Sequence, residues 1–297
     1  MNYHNFYQKK LILFFFILSL SLFSQNQRFM YEYKYIPDST KSQEIQSELM
    51  FLDITPKFSK FYSADTFKSD SISKSILDKK ISATGGIDQM PKPSTGNKSS
   101  IKYTIIKDYS KNNLFFITRI GRFKYNVKDN RPINWTVLPD REVINTYNVQ
   151  KATSEFVGRK WIAWFAVDLP IQDGPYKFRG LPGIILKIED LTKSHSFTFV
   201  GLKNLKENEL KNIKPEGNFV FDFGDSLDID FQKYKKIYLE YRNNPIKSLQ
   251  LTLADLDEIN VDGVMVDKNK YLRDRERTMT ENIKKDNNII EINMLDK

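Results

Sequence analysis

The chain contains no cysteine and only two histidines among its 297 residues. Without cysteine there is no disulfide, no thiolate metal centre, no thiol nucleophile and no thiol to carry a lipid, so the fold must rest on packing alone. His4 lies in an apolar N-terminal run, which leaves His195 for the rest of the chain. A Cys-His pair and a multi-histidine zinc site are therefore excluded. A serine triad would have to use His195, and no G-x-S-x-G elbow accompanies it. A lone histidine opening the strand of Phe197 and Phe199 reads instead as a surface or edge residue. A glycine-rich phosphate loop and a dinucleotide fingerprint are also missing, and the sequence calls for no cofactor.

Long apolar runs are scarce too. Leu11 to Phe23 follows Lys9 and Lys10 and is too short to favour a membrane span. The pattern reads as a signal peptide over residues 1–24, cleaved near Ser24 and Gln25. Residues 25–297 then form one β-rich domain, with 267–297 as a charged C-terminal tail. The formal charge is +9. In an exported chain that excess fits an acidic surface, such as anionic lipid or lipopolysaccharide, better than nucleic acid. The plainer reading is that scattered lysines confer solubility. The expected location is the periplasm, the outer membrane or the medium, and the expected partner an outer-membrane protein or a lipid.

Aromatic residues make up 13% of the chain and supply the clearest pattern. Phe29, Tyr31, Tyr33 and Tyr35 alternate with Met30, Glu32, Lys34 and Ile36, a strand with one wholly aromatic face. Such a face packs a core or lines a ligand cavity. Leu49 to Tyr62 adds one or two strands, and Ser69 to Lys80 a helix. Residues 81–100 read as a linker around Gly85-Gly86, Pro91, Pro93 and Gly96. Ile101, Tyr103 and Ile105 alternate, and Leu114–Ile120 and Phe123–Val127 follow as a meander of short strands. Phe197 and Phe199, then Phe219, Phe221 and Phe223, repeat the alternation. Phe231, Tyr234, Tyr238 and Tyr241 change to helical spacing, with Asp228 or Asp230 available as cap and Asn243-Asn244-Pro245 as the stop. Leu249, Leu251 and Leu253 suggest a last strand.

The chain is organised around Gln150 to Asp190, QKATSEFVGRKWIAWFAVDLPIQDGPYKFRGLPGIILKIED. Phe156 to Val167 reads as a strand buried on both faces, and Ile184 to Glu189 as a half-buried strand. Between them Asp168 to Gly183 concentrates proline and glycine into a long shaped loop. This stretch resembles the GLPGLI family of bacterial envelope proteins, with Ile184 where the name has leucine. Cysteines that often flank the Gln-Lys-Ala-Thr run in that family are Val149 and Ser154 here. The resemblance implies an exported, β-rich protein and supplies no catalytic residue.

The fold class expected is α+β, mainly β with a few helices. The architecture would be a curved antiparallel sheet or partial barrel with a helix packed on its concave side. Arg159, Lys160 and Arg179 bracket the loop and offer an anion site; alternatively Arg159 pairs with a carboxylate such as Asp168 and orders the loop. With Trp161, Trp164, Asp168, Asp173, Gly180, Leu181, Pro182 and Gly183 they form the candidate ligand or partner surface. Three functions stay open: a non-enzymatic envelope protein binding a hydrophobic or anionic ligand or an outer-membrane partner, a hydrolase using Asp168 or Asp173, and a structural envelope scaffold in which the loop is a folding device. Asp222, Asp225, Asp228 and Asp230 lack the spacing of a calcium loop and read as turn formers and caps.

Overall fold

The computed structural model describes residues 26–84, 99–210, 213, 226–261 and 263–296. The N-terminal leader, residues 85–98 of the linker, the Phe219–Phe221–Phe223 strand, Asp222 and Asp225 lie outside the described residues.

Two meanders make one sheet. The first runs β1 (Gln27–Tyr35), β2 (Gln46–Ile54), β3 (Phe58–Ser63), β4 (Thr104–Asp108), β5 (Asn113–Ile120) and β6 (Phe123–Lys128). The second runs β7 (Thr136–Ile144), β8 (Tyr147–Phe156), β9 (Arg159–Ala166), β10 (Ile185–Asp190) and β11 (His195–Asn204). β11 pairs antiparallel with β1, which joins the meanders side by side. A short β12 (Leu227–Asp230) adds parallel to β6, and β12 and β7 are the two open edges, so the sheet is not closed into a barrel.

The registers sort the side chains. Tyr31 pairs with Met50 and Phe199, Tyr33 with Phe197, Tyr35 with His195, and Phe61 with Ile105, so one face is almost continuously apolar. Its stabilisation comes from cross-strand contacts such as Tyr33 on Phe197, with ring centroids 4.2 Å apart and an interplanar angle of 7°. That face is strongly concave. β4 and β10 are five strand steps apart, roughly 24 Å along a flat sheet at ~4.8 Å per step. Yet Lys107 on β4 bonds Asp173, whose carbonyl accepts from the Ile185 amide at the head of β10 at 3.0 Å. A lysine cannot bridge 24 Å, so the sheet must curl.

Phe156 to Val167 is not one continuous strand. Val157 (φ 54°) and Gly158 (φ 84°) form a tight left-handed hairpin turn, and β9 starts at Arg159. Along β9 Trp161, Ala163 and Phe165 are buried, while Lys160, Ile162 and Trp164 alternate to the other side, so it is buried less completely than a strand covered on both faces.

Three segments cover the concave face: the loop between β9 and β10, a helix, and the C-terminal strip. Helices α1 (Ala64–Thr84) and α2 (Glu207–Leu210) precede α3 (Phe231–Asn243), the helix expected from the aromatic stripe. Its cap is Asp230, which accepts from the Lys233 amide at 2.8 Å, and its buried Tyr234 meets Phe116 of β5 with centroids 5.7 Å apart. Leu249–Leu253 is not a strand: Lys247–Thr252 forms helix α4 beside the β5–β6 turn, where Arg122 donates to Thr252 at 3.1 Å, and Leu251 is 72% exposed. Leucine is a good helix former, and its alternation carries a β signal only where neighbouring strands take it up. A small hairpin, β13 (Glu258–Val261) and β14 (Val264–Asp267), leads into α5 (Lys268–Lys285). This helix has no buried residue and fits the expected exposed tail. The strip after it does not: Asn288, Ile290, Glu291 and Met294 are all buried against the sheet. None of the described helices is long and apolar enough to cross a membrane.

Candidate functional site

The concave side retains a cavity of about 740 Å³. Tyr33 and Tyr35 of β1, Tyr103, Phe116 of β5, Tyr176 of the loop, and Tyr234 and Tyr238 of α3 contribute its wall, so rings from the sheet, the loop and the helix converge there. Its mouth is charged and exposed, with Lys41, Glu44, Lys102, Lys285 and Asp286. A cavity of a few hundred Å³, largely apolar with a few polar groups, is the usual form of a small-molecule site.

Its floor is fixed by two buried polar networks. In the first, Asp129 accepts from Arg131 Nε at 2.7 Å and from Lys177 Nζ at 2.7 Å. Glu291 accepts from Arg131 at 2.6 Å, from the Tyr176 hydroxyl at 2.6 Å, and from Lys177. Two cations meet two carboxylates, so the cluster is neutral. Burial works against the charged forms of both carboxylates, but Arg131 and Lys177 outweigh it and hold Asp129 and Glu291 below the ordinary carboxylate range. Lys177 also lies over the Phe116 ring at 4.4 Å, and Arg131 over Phe231 at 3.4 Å. Loop, sheet, helix and C-terminal strip are thus tied at one point. Tyr176 reaches it with φ at +52°, an uncommon backbone state for a residue of its size.

The second network surrounds His195, which is buried rather than at the surface or an edge. Its Nε2 donates to the Asn288 carbonyl at 2.8 Å, so Nδ1 accepts from the Tyr33 hydroxyl at 2.7 Å. Burial, with the Arg159 charge nearby, pushes its pKa down to about 4 against the pull of Asp190, and the ring is neutral at pH 7. Both ring nitrogens are engaged, and His195 serves as an anchor between β11 and the C-terminal strip.

The structure divides the residues singled out by the sequence. Arg159 donates to Asp190 at 3.2 Å, to Asn288 Oδ1 at 2.7 Å and to the carbonyls of Ile289 and Ile290; its partner carboxylate is Asp190, not Asp168. Burial lowers its pKa, and Asp190 opposes that. Lys160 is exposed and pairs with Glu155 at 3.3 Å. Trp161 is buried, its Nε1 donating to the Phe156 carbonyl at 3.0 Å, while Trp164 is half-buried with Lys151 5.7 Å from its ring centre. Asp168 is exposed and accepts from Asn148 at 3.0 Å. Asp173 is buried, taking bonds from Lys107, from the Tyr109 hydroxyl at 2.5 Å and from the Gly174 amide at 2.6 Å. The two aspartates therefore do not form an acid–base pair. Within the motif, Leu181 and Gly183 are buried and Gly180 and Pro182 exposed. Arg179 is half-buried beside the loop, in a cleft that neither Arg159 nor Lys160 lines.

Lys107, Lys177, Asp129 and Glu291 were not singled out from the sequence. Lys107 had a signal: it continues the inward parity of Tyr103 and Ile105. Glu291 had one also, since Ile289, Ile290 and Ile292 surround it in an otherwise charged tail.

Residues 94–187 match the model of a protein family of unknown function, Porph_ging. The match spans β4 to the first half of β10, including the whole GLPG loop. No curated protein matches the chain significantly. Among solved structures, two crystal forms of PNGF-II, in space groups C2 and P21, are similar over 73% of this chain at 13% identity and a TM-score of 0.49. They are covered over 33% and 34% of their own length, so the chain spans about a third of each.

Proposed function

We propose that this is a non-enzymatic binding protein of the bacterial envelope, related to the GLPGLI proteins, whose ligand is a largely apolar molecule held in the concave cavity. The observation that carries the reading is the ring-lined 740 Å³ space bounded by a charged mouth. The walls favour apolar contact, and the polar groups of the floor are already bonded to one another, which suits retention better than chemistry. The hydrolase alternative has less support, because both Asp173 oxygens are engaged and Asp168 lies in solvent. Export is supported by the leader-like run at residues 1–24. The basic excess supports an anionic lipid or an outer-membrane protein as the surface the protein meets.

The test is native mass spectrometry of the protein purified from its own envelope without harsh detergent. A bound mass of lipid size is expected. Thr118→Phe, which adds a ring to the cavity wall, should fold and lose that mass. A wild-type protein that always flies bare, or a Thr118→Phe variant that keeps the same adduct, would remove the cavity reading.

A further inference from the structure

A second concavity, of about 520 Å³, opens on the loop itself and is independent of the concave cavity. Pro56 comes from the β2–β3 turn, Tyr109 from the β4–β5 turn, and Pro170, Ile171, Gln172 and Arg179 from the loop. Charges at its base are matched. Lys107 is bonded to Asp173 and to the carbonyls of Gly174 and Phe178, at 2.6 and 3.0 Å for the last two. Asp108, a half-buried carboxylate of the cleft, accepts from the Ser110 and Lys111 amides and the Ser110 hydroxyl, at 2.9, 3.2 and 2.6 Å.

Arg179 is the exception. Its carbonyl accepts from Trp135 Nε1 at 2.9 Å, which fixes the backbone. The residue is half-buried at the cleft, and its guanidinium has no hydrogen bond or ion pair among the described residues. Burial lowers the Lys107 pKa, Asp173 opposes that, and the Arg179 charge lowers it a little further, so Arg179 stands close enough to be felt at the base of the cleft. A guanidinium without a protein partner has its donors free for a ligand, and its planar fork matches an oxyanion through two parallel donors.

We infer that this cleft binds an oxyanion, carboxylate or phosphate, through Arg179, with the apolar part of the ligand lying on Tyr109, Pro56 and Pro170. The GLPG loop then has two roles on its two sides: Leu181 and Gly183 hold it to the sheet, and Arg179 and Gly180 present the site. Gly180 keeps the approach open, since nothing lies within 4 Å of where a Cβ would project.

Trp135 is a built-in reporter because its indole bonds the Arg179 carbonyl. Tryptophan fluorescence of the full protein should respond saturably to inorganic phosphate, acetate or benzoate. Arg179→Gln should weaken the response at least tenfold, Arg179→Lys less, and Lys160→Gln not at all, with unchanged circular dichroism throughout. Benzoate binding more tightly than acetate would place the apolar part on Tyr109; phosphate alone binding would identify the anion as a phosphate group. No saturable response to any of the three in the wild type, or an equal response in Arg179→Gln, overturns the proposal. Neither result bears on the lipid adduct of the concave cavity.

Discussion

Gly180 and Gly183 stand three residues apart in one motif and are required for different reasons. Gly180 has φ +91° and open space around it, so a side chain there meets only backbone strain. A Cβ on Gly183 would lie 1.9 Å from the Ala166 carbonyl oxygen, a clash with main chain that rotamer changes cannot relieve. Gly180→Ala should cost about 1–2 kcal/mol, the usual penalty for a left-handed L-residue. Gly183→Ala should cost about 4 kcal/mol or more, because β9 and the loop must separate and leave buried polar groups unpaired. Urea denaturation of the two variants measures this directly. Equal losses would mean that the loop is not pinned at Ala166.

At the level of elements, the C-terminal strip is the clasp of the fold. Asn288 uses all its hydrogen-bonding groups in bridging: its amide and side chain reach the Pro37 and Ile36 carbonyls, its Oδ1 accepts from Arg159, and its carbonyl accepts from His195. Glu291 closes the buried charge cluster from the same strip. Breaking such a cluster by removing one partner costs about 3–5 kcal/mol, whereas removing an opposed pair together costs less. Glu291→Ala is therefore expected to lose about 3–5 kcal/mol. The double variant Lys177→Met, Glu291→Leu should be more stable than the sum of the single changes predicts. A double-mutant cycle in urea reads the coupling, and strict additivity would show that the two side chains are not partners.

For the molecule as a whole, stability should depend on pH through His195. Its pKa is about 4 in the fold and near the ordinary 6.5 when unfolded. Between these values the unfolded chain binds the extra proton, so stability is full above pH 6.5 and falls as pH drops towards 4. The gap corresponds to at most about 3 kcal/mol. Unfolding free energies of the wild type and of His195→Gln, measured from pH 7.5 to 4.5, should converge as the pH falls. Curves that stay parallel would assign the acid sensitivity to other groups. A loss confined to His195 would loosen the strip at the cavity floor, because His195 and Asn288 both line the cavity.

The sequence alone determined the local rules. Alternating aromatics specified the inward faces of β1 and β11, because the strand period of two leaves a buried face no other solution. The stripe from Phe231 to Tyr241 specified α3, and Asp228 or Asp230 and Asn243-Asn244-Pro245 its ends, because capping is a matter of neighbouring residues; the structure chose Asp230. The bunching of proline and glycine marked the loop as shaped. Long-range partners were beyond its reach. For Arg159 an anion site and a carboxylate such as Asp168 were both open, and the choice of Asp190 depends on which strand β9 faces. Leu249–Leu253 had the period of a strand and folded as a helix, because alternation counts only where neighbouring strands take it up. His195 opened a strand and was buried because residues nearly a hundred positions later returned to cover it. The concave cavity and the free guanidinium of Arg179 likewise exist because two meanders join edge to edge and curl. Burial and pairing are properties of that assembled surface, and one strand's sequence does not contain the identity of what will lie opposite it.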